Sequence, residues 1–153
     1  MRAASAIGAV CVTILVATAV WARPDPPRPV EFLNSGKVMP PGVPFSEAVR
    51  VDNLLYVSGA IGMVPGKLEL VPGGLQAEGK QALQNLKTTV EANGYTMRDV
   101  VKCTVMLADI SKWGEFNEVY KSFFTEPYPA RSTVEAARLP RDARIEIDAI
   151  AMY

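Results

Sequence analysis

Histidine is absent from the 153 residues. That excludes Ser-His-Asp and Cys-His nucleophilic catalysis, and any zinc site that relies on imidazole. Cysteine is nearly as scarce: Cys11 and Cys103 can build neither a disulfide framework nor a Cys-rich metal site. No charge of one sign predominates. Sixteen Lys and Arg face sixteen Asp and Glu, so net charge argues for no nucleic-acid partner. Neither Gly-x-Gly-x-x-Gly nor Gly-Lys-Ser/Thr occurs, which removes the common phosphate-cradling loops. Any chemistry falls to carboxylates, Arg, Lys, Tyr, hydroxyls, backbone groups and water, and neither a metal nor a cofactor is expected.

What is present reads as one globular domain behind an apolar leader. Hydrophobic residues make up 49% and charged residues 21%, a composition that can bury a core. Arg2 is followed by an uncharged run from Ala3 to Ala22, with small-residue patterns at Ala17-Thr18-Ala19 and Val20-Trp21-Ala22. A short basic start, an apolar run and small residues outline an export signal over residues 1–22. An uncleaved anchor is the alternative, since such a run is long enough to span a bilayer. Arg23 and Arg28 follow the run and oppose an anchor with a cytoplasmic N-terminus. The expectation is an exported, periplasmic or secreted protein, bound to a membrane only if the leader stays attached. Removal of the leader takes Arg2 and Cys11 with it and leaves a single thiol. Residues 23–29, rich in proline, form an extended linker, and residues 30–153 form the domain.

Within that domain, Ala48–Val51 and Leu54–Ser58 read as strands joined through the turn pair Asp52-Asn53. Leu75 to Asn93 reads as a helix with Leu75, Gly79, Ala82, Leu83, Leu86 and Val90 on one apolar stripe, its small residues allowing close packing against a sheet. Val100–Leu107 is an apolar strand in which Cys103 reads as a buried, inert thiol. A second helix is expected from about Ser111 to Phe124, with Trp113, Phe116, Val119, Tyr120 and Phe123 as a core-facing stripe. Arg131–Ala136 and Arg144–Met152 read as the last strands, and an extra first strand can lie at Val30–Asn34. Ile145, Ile147, Ala149 and Ala151 share one face of the last strand, opposite Glu146 and Asp148. The predicted class is α+β: a mixed sheet with two helices packed on one face. The chain has no further layer for the other face, so self-association is expected.

The chemistry-bearing pair is Arg131 and Glu146. If their strands pair, or meet across a subunit boundary, a guanidinium and a carboxylate share one site. The first can bind a carboxylate through two parallel hydrogen bonds, and the second can hold a water. A cross-strand ion pair without chemistry is the plainer reading of the same spacing. Asn117 beside the aromatic stripe and Ser58 at a strand end carry no functional signal of their own.

Four blocks carry a further resemblance. They are Asn117 to Phe124, Pro129 to Glu135, Arg138-Leu139-Pro140 and Ile145 to Ala151, joined by Ser58-Gly59, Asn85-Leu86-Lys87 and Asp99 to Lys102. In order and spacing they closely resemble the RidA (YjgF) family over residues 30–153. The resemblance implies a chorismate-mutase-like α+β fold and a homotrimer with sites in the clefts between subunits. It implies hydrolysis of reactive 2-imino and enamine acids to 2-oxo acids and ammonia. Arg131 would grip the substrate carboxylate and Glu146 would position the water. Phe45, Ser58, Asn117 and Thr133 would line the substrate cleft. Two positions depart from the family's habit: Phe45 stands where many deaminases have tyrosine, and Thr133 replaces a cysteine common beside the site. A non-catalytic module binding small carboxylate metabolites, and an endoribonuclease-like relative, are the competing functions.

Overall fold

The computed structural model describes residues 29–153. The expected leader, and all but the last residue of the expected linker, lie outside the described residues. Among the described residues, no helix is long and apolar enough to cross a membrane.

Six strands form one mixed sheet. They are β1 (Val30–Leu33), β2 (Ala48–Val51), β3 (Leu54–Ile61), β4 (Val100–Leu107), β5 (Ala130–Glu135) and β6 (Ile145–Met152). Their spatial order is β1-β2-β3-β6-β4-β5, with β4 and β5 parallel and every other pair antiparallel. Helices α1 (Gly74–Ala92) and α2 (Trp113–Lys121) are the crossover layer. The α+β class, the extra first strand and the two-helix layer all match the sequence-based expectation. The second helix is shorter than predicted: Ile110–Lys112 is a separate 3-10 turn before it.

The core lies between the helices and one face of the sheet. Leu55 and Val57 of β3, Cys103, Val105 and Leu107 of β4, and Ile145, Ile147, Ala149 and Ala151 of β6 are buried there. Alternate residues of a strand leave opposite faces, so the period-two pattern of β6 transfers directly into this burial. Leu83, Leu86 and Val90 of α1 and Phe116 of α2 close the other side. Gly79 corrects one expectation. A Cβ there would come within 3.2 Å of the Phe116 ring, so the small residue lets α2, rather than the sheet, approach α1.

Two buried carboxylates tie loops to this frame, and neither carries a signal in the periodicity. Glu78 of α1 accepts hydrogen bonds from the backbone N–H of Arg144 (2.8 Å) and from its Nη1 (2.6 Å), pinning the entry to β6. Glu47 accepts from Ser35 N (2.7 Å), Ser35 Oγ (2.6 Å) and Met39 N (2.9 Å), which folds the segment before β2 back on itself. Burial alone would raise the Glu47 pKa, but these donors outweigh it and hold the carboxyl below its ordinary value.

Between β3 and β6 the register slips. Val57 faces Ala149, yet Ala60 faces Ile147, so β3 carries one extra residue at Ser58-Gly59. This bulge reverses the alternation beyond it. Ile61 lands opposite Glu146, on the open face, instead of continuing the core row of Leu55 and Val57. There it joins Met63, Leu139 and Ala143 in a second, smaller apolar cluster.

Candidate active site

The strands carrying Arg131 and Glu146 do not pair, because β4 lies between them. Their side chains also leave opposite faces. Arg131 is in register with core-facing Cys103, whereas Glu146 is in register with Met106 and Ile61 on the open face. One protomer thus carries two separate half-sites, and the pairing alternative for a shared site is excluded.

The first half-site sits at the β5 edge under α2. Trp113, Asn117 and Tyr120 are four and three residues apart and so project from one helix face. Arg131 Nη2 donates to Asn117 Oδ1 (2.8 Å). Its guanidinium carbon lies 4.6 Å from the Tyr120 ring centroid and 5.8 Å from that of Trp113. The aromatic stripe read as core therefore splits. Phe116 and Tyr120 are buried, but Trp113 is 48% exposed and borders the arginine. Thr133, two residues along β5, is half-buried on the same face as Arg131. Among the described residues no carboxylate pairs with Arg131. Cys103, its neighbour on β4, is fully buried, and burial pushes the thiol up to about 11, which keeps it protonated and inert.

The second half-site is a cavity of about 380 Å³ on the open face, where Phe45, Ser58, Gly59, Arg141 and Glu146 meet the apolar residues Ile61 and Met63. Ser58 Oγ donates to the Ser46 carbonyl (2.7 Å), joining the bulge to the segment that presents Phe45. Gly59 is required by space: a Cβ built there would fall on Glu146 Oε1 and lie 2.9 Å from Cδ. A glycine inside a strand often marks a bulge or such a close approach, and that was the available sequence signal. Among the described residues Glu146 has neither a counter-ion nor a hydrogen-bond partner. Burial, and then the charge of Asp148, raise its pKa above the ordinary value. Arg141 borders this cavity from a left-handed backbone conformation, φ 62° and ψ 20°. Among the described residues no cluster of His, Cys, Asp and Glu could hold a metal ion.

Of the residues singled out, Arg131, Asn117 and Thr133 gather at one half-site, and Phe45, Ser58 and Glu146 at the other. Trp113, Tyr120 and Gly59 are the site residues that sequence reasoning did not assign.

Fold and geometry define a small α+β protein whose cation site and carboxylate site lie on opposite faces of one sheet. Residues 36–153 match the family described as Endoribonuclease L-PSP. The chain belongs to this family, the RidA (YjgF) family of the resemblance. A 2-iminobutanoate/2-iminopropanoate deaminase of Mus musculus is 48% identical over 109 residues, covering 71% of this chain and 81% of the mouse protein. The crystal structure of RidA from an Antarctic Psychrobacter superposes with a TM-score of 0.76 at 36% identity, covering 80% of this chain and 99% of that one. E. coli TdcF, crystallised with bound serine, gives 0.74 at 34%, covering 80% and 98%.

Proposed function

We propose that this protein is a homotrimeric hydrolase that converts 2-imino acids and their enamine tautomers to 2-oxo acids and ammonia. The observation that carries this reading is the division of the site: Arg131 and Glu146 leave opposite faces of one sheet, so a site that uses both would be completed by a second copy of the chain. The open sheet face supports assembly, since Tyr56, Val134 and Met152 leave 45–49% of their surface uncovered there. Relatives at about half identity named for imine deamination point to the same reaction.

In the assembled cleft, Arg131 binds the substrate carboxylate through its remaining donors. A protonated imine carbon is already electrophilic, so an oriented water suffices as nucleophile. Water adds to that carbon as Glu146 accepts its proton, giving a tetrahedral carbinolamine. Glu146 passes that proton to nitrogen, then takes the hydroxyl proton as the C–N bond breaks, so ammonia leaves as the carbonyl forms. A carboxylate whose pKa stands above its usual range is the better base for this step. Ser58 and Phe45 shape the Glu146 side, while Asn117 and Thr133 shape the arginine side.

The test is an assay in which an amino-acid oxidase generates the imine and 2-oxo acid formation is followed. The wild-type chain should accelerate it, Arg131→Ala should lose substrate affinity, and equal rates with and without the protein would refute the enzyme. The serine bound by TdcF favours a second reading, a binding module for small carboxylates. Calorimetric binding of 2-oxobutanoate without imine hydrolysis would establish that reading instead.

Residues 1–22 are read as a cleaved export signal and 23–29 as a linker, which places the working domain outside the cytoplasm. Intact-mass measurement of the protein from its native compartment would reveal a chain starting at residue 23. A mass including residues 1–22 would contradict it.

A further inference from the structure

The arginine half-site contains more than its hydrogen bond needs. Arg131 is held by Asn117 through one N–H, yet two aromatic rings of α2 also stand within cation–π range of its guanidinium. Tyr120 is buried with its hydroxyl beside the Cys103 thiol, so its ring is the part that faces Arg131. Trp113 is half-exposed and makes no ring contact with another aromatic side chain among the described residues.

We propose that Trp113 and Tyr120 form an aromatic bracket that positions Arg131 for carboxylate binding, with Trp113 as the outer wall of the substrate site. The inference rests on the reading of Arg131 as the carboxylate anchor and adds the residues that aim it. A guanidinium is planar and weakly hydrated, and it stacks readily on ring faces. Asn117 takes one edge and the rings restrain the plane, so the other donors point away from α2. An arginine with fixed orientation loses less freedom when it binds a carboxylate bidentately, and so binds it more tightly. The bracket also keeps the cation in place without a carboxylate partner, which would otherwise compete with the substrate.

The experiment uses the full chain carrying Trp21→Phe, which leaves Trp113 as the single indole. Saturation with 2-oxobutanoate should change its fluorescence, and the change should vanish when Arg131→Ala is added. Trp113→Leu keeps an apolar side chain but removes the π face. It should raise both the Kd for 2-oxobutanoate and the KM for imine about three- to tenfold, with kcat nearly unchanged. Trp113→Phe should restore most of the affinity. A Trp113→Leu chain with the parent's Kd and KM, beside an Arg131→Ala chain that has lost binding, would overturn the bracket alone. If Arg131→Ala also bound like the parent, the anchor itself would fall.

Discussion

The two half-sites hold their charged groups by opposite means. Arg131 rests on aromatic faces and one amide oxygen at a sheet edge, an environment that favours a cation. Glu146 lies against a glycine in a cavity with an apolar lining, close to Asp148, an environment that disfavours an anion. Neither has a counter-ion among the described residues. An ion pair inside one protomer would satisfy both groups and leave nothing for a ligand. Separation by the sheet leaves each charge without its opposite within one copy of the chain.

The sharpest way to break this contrast is Glu146→Gln. It preserves shape and removes the base, so kcat should fall about a hundredfold or more while 2-oxobutanoate binding persists. Unchanged turnover would remove Glu146 from the chemistry. The same variant tests the electrostatics. Because folding raises this pKa, ionisation of Glu146 costs stability as pH rises through its folded value. Glu146→Gln should therefore be more thermostable than wild type at neutral pH, and the gain should disappear below the ordinary carboxylate range. The wild-type rate should fall with decreasing pH along a limb lying above that range.

Gly59→Ala probes the space beneath the carboxylate. Its methyl group would displace Glu146 or push the bulge, costing about 1–3 kcal/mol of stability together with most of the activity. A well-folded, active Gly59→Ala enzyme would show that the close approach is dispensable. Glu47→Gln acts one step further out, through the segment that presents Phe45. Losing its charge-assisted hydrogen bonds should cost about 1.5–3 kcal/mol in chemical denaturation at neutral pH. The sign with pH is opposite to that of Glu146: the folded pKa is lowered, so the wild-type advantage is present above the ordinary carboxylate value and lost as pH falls through the folded one. Phe45→Tyr is the mildest change. The ring is 48% exposed, so its stability should shift by no more than about 0.5 kcal/mol, and any change in imine turnover reports the added hydroxyl alone.

Much of this architecture was legible in the chain. The heptad-like stripe of α1 and the alternation of β6 each identify their buried faces, because a helix and a strand repeat at fixed periods. The core role of Cys103 followed from its β-branched surroundings. The α2 stripe misled in one place. Periodicity says that Trp113 and Tyr120 share a face, but it cannot say that the face ends on an arginine rather than in the core. The Ser58-Gly59 bulge had only the glycine as its signal, since its register depends on how two strands remote in sequence come together.

By itself the sequence determined the order of strands and helices, the α+β class and the absence of any histidine-based chemistry, all consequences of composition and local period. Only the tertiary structure decided that β4 separates Arg131 from Glu146 and that their side chains leave opposite faces. Strand order and register arise from contacts between distant segments, and one extra residue in β3 is enough to turn a side chain from the core to the open face.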